Sequence, residues 1–566
     1  MASITTGNGT GKRARVPLIA WPLFAVLLWA VVYPNISVIV GSFAHGFGYW
    51  KQFANSPADR EALWTSIWIS IASVVFSTAI GVPLAFLLTR VEFRGRKILS
   101  AAATLPAALP PLVGVVAFLF LYGESGVITR AVQAVLRTDT PPWTLNGGWA
   151  IVFVHAYTMY VYVYMFVSAG LERYDTSLDE AAAGLGAGPS LRLRRVTLPL
   201  LTPALVGAML LVFMSSLGSF SAPYIFGGGL RVLATQIVTS RLNGAVGVSY
   251  VETTVLAIAS IAALWLSRWI QGRSQYSASG KGRVTRQRVQ SRLLRALTMP
   301  AAAAMVVILI LPHLMIILVS FARDGAWTTQ VLPPEYTLDN FKRLFSDRDL
   351  VTPIVNSVEM ALLATGGNVV ICSIAAYLVA LRKFPGRKIL ELLTALPWAI
   401  PAMAVAIGLA STFNKNAPAE LRVLLVGTFW ILPLAYFIRG IPLVASAVEG
   451  SLSQMDPSLE DAARGLGASW WLVMRRVMLP AARPGLVAGA LLAAITAVGE
   501  FVASVVLYTH ANRPISIEIL AQIRDFAFGT AAAFSVLLIG VVLAFTAIAR
   551  LVGAQGRVEL TEQPIA

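Results

Sequence analysis

Cysteine and charge are what this chain has least of. One cysteine among 566 residues, Cys372, excludes an intrachain disulfide and any cysteine-based metal cluster. It lies in an apolar run, where packing is the expected role. The four histidines are scattered, and no His/Asp/Glu set has metal-ligand spacing. Charged residues make up only 13% of the sequence, against about 25% in a soluble globular protein. A phosphate-cradling loop needs Gly, four residues, Gly-Lys and Ser or Thr. Gly11-Lys12 and Gly280-Lys281 lack both the upstream glycine and the hydroxyl residue. No nucleophile–base set stands out, so neither catalysis nor ATP hydrolysis is expected of this chain, and no bound cofactor.

What is abundant is apolar sequence. Hydrophobic residues reach 57% and the mean hydropathy is +0.73. A bilayer crossing needs about 20 apolar residues. Twelve candidates fall at 17–43, 63–89, 98–122, 149–170, 201–225 and 251–270, then 296–320, 355–381, 390–412, 421–445, 484–508 and 530–553. Lipid leaves only helices or closed barrels, and these runs do not alternate as barrel strands do, so an all-α membrane protein is expected. The first run, preceded by Lys12, Arg13 and Arg15, is too long for a cleavable signal and reads as a retained span.

The net charge of +17 raises the question of nucleic acid. Its distribution answers otherwise. With both termini in the cytoplasm, most of the 44 basic residues fall on that side, including Arg90, Arg96, Arg382, Lys383 and the 268–295 segment. This is membrane topology, not a nucleic-acid surface. External loops are short except 45–62, 123–148 and 321–354, and none has the length of an independent domain.

The chain is also duplicated. Asp179–Pro199, a polar island between the fourth and fifth runs, returns 281 positions later as Glu460–Pro480. The copies share Asp175/Asp456, Leu178/Leu459, Ala181/Ala462, Gly186/Gly467, Arg194/Arg475, Arg195/Arg476 and Pro199/Pro480. Phe93–Leu99 likewise matches Phe384–Leu390, each followed by Leu-Pro and a further proline, Pro110 or Pro401. Each half holds six runs, an even number that returns the chain to its starting side. The halves are therefore parallel repeats about an axis normal to the membrane. Residues 1–272 form the first half and 296–566 the second. The basic Ser/Gly-rich stretch 273–295 reads as a cytoplasmic linker lying against anionic lipid.

Within each island, Asp175 and Asp456 are helix N-caps, with Pro457 at the favoured first helical position. Asp179/Glu180 and Glu460/Asp461 put negative charge in the early turns, where the helix dipole favours it. Leu178, Ala181/Ala182 and Leu185 share a face whose alanines permit close approach by another protein. Gly186 and Gly467 end the helices. A short surface helix tied to two spans is mechanically a lever.

This pattern is similar to the EAA loop of bacterial ATP-binding-cassette importer permeases. The first copy fits throughout: Glu180-Ala181-Ala182, Gly186, Val196, Leu198-Pro199. The second has Asp461 for Glu, then Ala462-Ala463, Gly467, Val477 and Leu479-Pro480. In that family the loop docks into a separate ATPase. The resemblance implies two ATPase copies, one per island, with ATP held by them. It also implies a periplasmic or lipid-anchored binding protein, an inner-membrane location and alternating access. Fusion of two halves, with Gly123–Gly126 after the third run and Gly227-Gly228-Gly229 after the fifth, looks most like the ferric-iron permeases. Similar fused proteins serve thiamine and 2-aminoethylphosphonate, and polyamine permeases are related.

Two pathway residues stand out. Glu500, mid-run in Gly-Glu-Phe, corresponds to Ser219 in the first half. A charge at bilayer depth costs about 2.5–3.5 kcal/mol on insertion scales, so Glu500 either lines a pore or is a buried, hydrogen-bonded carboxyl. Gly-Glu-Phe also looks like sulfate and molybdate permeases. His155 and the tyrosines around it point several ways round a helix, which favours packing. An ion-coupled secondary transporter shares the twelve-span, two-repeat plan. The islands and the near absence of intramembrane charge beyond Glu500 disfavour it, and a membrane-embedded enzyme lacks a catalytic constellation.

Overall fold

The computed structural model describes residues 16–558 apart from 94, 174–175, 274–286, 289–291, 328–329, 415–422 and 457. Eleven helices are long and apolar enough to cross a membrane, and twelve when one bent pair is joined. In the first half they include Ala20–Ser42, Pro57–Arg90, Gly147–Glu172, Pro189–Leu217 and Val246–Gln271. In the second they include Ala303–Ser320, Arg348–Leu381, Ile431–Leu452, Trp471–Val498 and Phe528–Ile548. The fold is all-α. Among the described residues the strands are Val91–Glu92 and Gln287–Arg288, paired in parallel, which ties the segment between the halves to the end of the second span.

The repeat survives as packing. Pro57–Arg90 lies against Gly147–Glu172 as Arg348–Leu381 lies against Ile431–Leu452. On the second span Ser66, Ser70, Ser73 and Ser77 are buried at helical spacing, and three of them donate back to their own helix carbonyls. Small residues whose polar atoms are satisfied locally let membrane helices approach closely. The halves also interlock. Tyr33–Ser42 of the first packs on Ala402–Thr412 of the second, and Arg292–Ser320 of the second packs on Pro111–Tyr122 of the first. The Trp29 and Phe413 rings meet at 4.9 Å, and the Tyr157 hydroxyl donates to the Leu309 carbonyl across the same boundary. Tyr160 donates to Ala103 O at 3.0 Å, and the Tyr164 and Ser100 hydroxyls are 2.8 Å apart. Tyr157, Tyr160 and Tyr164 of the fourth span thus serve packing, as does fully buried Cys372.

Four expected runs are broken rather than straight. The 390–412 run is two helices, Arg387–Ala399 and Ala402–Thr412, meeting at 106°. Its counterpart at 98–122 divides into Arg96–Ala103, a short turn and Pro111–Tyr122. Pro401 and Pro110 are the cause. Proline lacks the N–H that would continue a helix and forces the preceding residue extended, as Ile400 (ψ 122°) and Leu109 (ψ 123°) are. The runs at 201–225 and 484–508 stop at Leu217 and Val498, then restart as Ser221–Phe226 and Val502–Leu507. Ser219 and Glu500 therefore sit at helix breaks, not mid-helix.

Candidate functional site

The island helices are Thr176–Gly184 and Ser458–Gly465. Asp456 caps the second, its Oδ1 accepting the Ser458 N–H at 2.9 Å. That bond and the Ser458 hydroxyl hold the Asp456 carboxyl below its usual range. The expected cap Asp175, and Pro457, lie outside the described residues. Both helices end alike. Gly186 (φ +84°) and Gly467 (φ +81°) take the left-handed conformation that costs an L side chain roughly 1–2 kcal/mol. The Ala187 N–H then closes on Ala182 O at 3.0 Å and the Ala468 N–H on Ala463 O at 3.1 Å, the bond of a Schellman motif. This reversal turns Leu185 and Leu466 outward, each 90% exposed. Glu180, Ala181, Asp461 and Ala462 are exposed beside them, and Ala182 and Ala463 are half-buried. Past the turn, a π-helical stretch carrying Arg194-Arg195 or Arg475-Arg476 precedes Leu198-Pro199 or Leu479-Pro480. A widened turn absorbs the missing proline N–H.

The acids that open the two islands are anchored differently. Asp179 is half-buried, its Oδ2 lying 3.7 Å from Arg192 Nη1 of the same island. Glu460 is buried and pairs with Arg382 at the end of the eighth span, with Arg464 at 2.8 Å and with the Tyr377 hydroxyl at 3.4 Å. The second island is thus fastened to the end of the Arg348–Leu381 helix through a charged contact.

Between the halves lies a cavity of about 420 Å³. The proline breaks (Pro106–Pro111 and Pro397–Pro401) and the fifth-span breaks of both halves line it, bringing Ser219 and Glu500 to one space. Ser219 Oγ is 2.9 Å from His155 Nε2, and His155 Nδ1 faces Ser73 at 3.1 Å and Ser216 at 3.0 Å. Glu500 is 8% exposed. Its Oε1 accepts the Ala503 N–H at 3.1 Å, capping the restarted helix, and its carbonyl accepts the Ser504 and Ser516 hydroxyls. Its Oε2 lies 3.9 Å from Arg439 Nε.

Arg439 corrects the expectation that the membrane holds almost no charge besides Glu500. It sits within Ile431–Leu452, between Ile438 and Gly440. Glu252, fully buried in the sixth span, is a second addition, accepting the Ser240 hydroxyl at 2.7 Å. Counting basic residues by side of the membrane concealed Arg439. The signal was there: a lone acid and a lone base in adjacent apolar runs invite a pair. A further cavity of about 380 Å³ continues from the first toward the islands, sharing Leu211, Met214, Trp398 and Pro442 and adding Arg268, Glu391 and Glu449.

Comparison with known proteins agrees with the duplication. Residues 77–276 and 369–555 each match the family described as binding-protein-dependent transport system inner membrane component. A probable ABC transporter permease of Sinorhizobium fredii is 28% identical over 508 residues, covering 89% of each chain. A ferric transport system permease of Actinobacillus pleuropneumoniae is 26% identical, covering 92% of this chain and 76% of its own. A molybdenum transport system permease of Mycobacterium tuberculosis is 31% identical over 222 residues, 37% of this chain and 81% of its own. The chain thus belongs to the binding-protein-dependent inner-membrane permeases of ABC importers, with two permease halves fused in one polypeptide.

Proposed function

We propose that this permease imports ferric iron, driven by ATP hydrolysis on two copies of a separate ATPase. One ATPase docks on Asp179, Glu180, Ala181, Ala182 and Gly186, the other on Glu460, Asp461, Ala462, Ala463 and Gly467. The observation that carries the coupling role is the matched pair of helix ends, each holding a leucine 90% exposed. With Leu178 and Leu459 also exposed on the same helices, each island presents an apolar patch, repeated in both halves, that fits a docking surface better than a free one. A periplasmic or lipid-anchored binding protein delivers the cargo. The halves are 1–272 and 296–566, joined by the 273–295 linker on the cytoplasmic side; the termini and most of that linker lie outside the described residues. ATP is held by the partners and this chain binds no cofactor.

Ser219 and Glu500 line the pathway, which the cavity between the halves supports. Iron is favoured by the relative named for ferric transport, which aligns with both halves. Thiamine, 2-aminoethylphosphonate and polyamines are the competing cargoes. The test is reconstitution with the ATPase and binding protein in proteoliposomes loaded with ATP. Ferric iron should accumulate only with ATP present. Accumulation of one of the other three cargoes and not iron would overturn the assignment.

A further inference from the structure

The central cavity suggests how its cargo is recognised, on the reading above that it is the pathway. Among the described residues, only Arg439 and Glu500 bring charge to its wall, and no group of three or more His, Cys, Asp or Glu could hold a metal ion. In this cavity a bare trivalent cation would thus meet a single carboxylate with a guanidinium beside it, Glu391 and Glu449 lying in the adjoining cavity with Arg268. Glu500 is largely committed, capping Val502–Leu507 through Oε1 and 8% exposed. Arg439 is less so: beyond the contact of its Nε with Glu500 Oε2 at 3.9 Å, its side chain is 28% exposed, its Nε is buried without a hydrogen-bond partner, and its Nη1 reaches Ile400 O only at 3.5 Å. The position that repeats Arg439 in the first half is Thr158, so the first half contributes a neutral wall, where the Thr158 hydroxyl donates to Val154 O at 2.9 Å and Ser219 Oγ lies 2.9 Å from His155 Nε2.

A planar guanidinium whose Nε has no hydrogen bond and whose Nη1 is held only at 3.5 Å, lining with Ser219 and Thr158 a cavity of about 420 Å³, suits an oxyanion far better than a cation. We propose that Arg439 recognises an oxyanion in this cavity. The cargo is either a free oxoanion or a ferric ion that crosses with an oxyanion attached. Glu500 acts as the internal competitor that occupies Arg439 between cargo molecules and speeds release.

The test uses the permease assembled with its ATPase in proteoliposomes. Loaded binding protein is kept saturating, so that its own affinity does not enter. Radioactive ferric iron supplied with phosphate or citrate forms one arm and radioactive molybdate the other. R439Q should lower uptake at least tenfold, and R439K several-fold, because lysine keeps the charge and loses the fork. E500Q should bind the cargo more tightly yet turn over more slowly. Thermal unfolding of the purified complex, titrated with molybdate, phosphate or ferric citrate against chloride at equal ionic strength, gives an independent reading. Wild type should be stabilised by oxyanion and R439Q should not.

Uptake by R439Q within twofold of wild type, or equal oxyanion stabilisation of both proteins, overturns the proposal. Should R439Q fail to accumulate, R439K carries the test, and wild-type behaviour in both assays overturns it. Iron uptake that ignores Arg439 refutes this inference and leaves the ferric reading intact. Molybdate uptake alone, dependent on Arg439, supports the inference and refutes the ferric reading.

Discussion

Replacing Leu185 and Leu466 with alanine separates docking from folding. Both side chains are 90% exposed, so truncation removes almost no contact from the permease itself. Surface changes of that kind stay within roughly 0.5 kcal/mol, and unfolding of the isolated chain in detergent should be unaltered. If each leucine enters a partner cleft on docking, truncation removes three buried carbon groups at about 0.8 kcal/mol each, or ~2 kcal/mol. That corresponds to roughly thirtyfold weaker docking per island. ATPase binding to detergent-purified variants, followed by titration, measures this directly. Each single variant should weaken one class of site, and the double variant should abolish ATP-driven uptake at normal membrane levels. Wild-type ATPase affinity in the double variant would refute the docking assignment. Loss of folded protein would contradict the surface placement.

Other expectations follow from the same geometry. Gly467→Asn should keep uptake, since asparagine tolerates the left-handed conformation, whereas Gly467→Val should reduce it; equal uptake in both would remove the turn from the mechanism. Glu460→Ala leaves Arg382 without its buried partner and should lower thermal stability by about 1–2 kcal/mol, less than a fully buried pair because Arg382 is partly exposed. Asp179→Ala should cost under ~1 kcal/mol, and the reverse order in detergent unfolding would contradict the two anchorings. Glu500→Gln can still accept the Ala503 N–H and should fold normally, while Glu500→Ala loses the cap and should accumulate less. Equal abundance of the two would argue against the capping role.

Much of this architecture was legible in the chain, and the reasons for what was not are physical. The spans announce themselves because lipid demands long apolar helices. The islands announce themselves because a polar segment in a mostly apolar chain must meet water, and its return at the same spacing in both halves marks a shared task. The breaks at Pro110 and Pro401 were visible as prolines, but an apolar run reads the same whether straight or bent at 106°. The break that carries Glu500 follows a glycine, Gly499, and glycine is common in continuous membrane helices. Arg439 was hidden by treating basic residues as markers of loop topology. The attachment of Glu460 to Arg382 needs the end of one span to reach an island 78 residues away, a proximity that no local pattern encodes. The pairing of Val91–Glu92 with Gln287–Arg288 is of the same kind.

The central claim is that two islands on one chain each engage an ATPase. Native mass spectrometry of the permease with a saturating excess of its ATPase counts them directly. The account predicts one permease with two ATPase copies, and at ATPase concentrations that only just saturate the wild type, mostly one copy when Leu185 or Leu466 is truncated. A wild-type complex that stops at a single ATPase would contradict it.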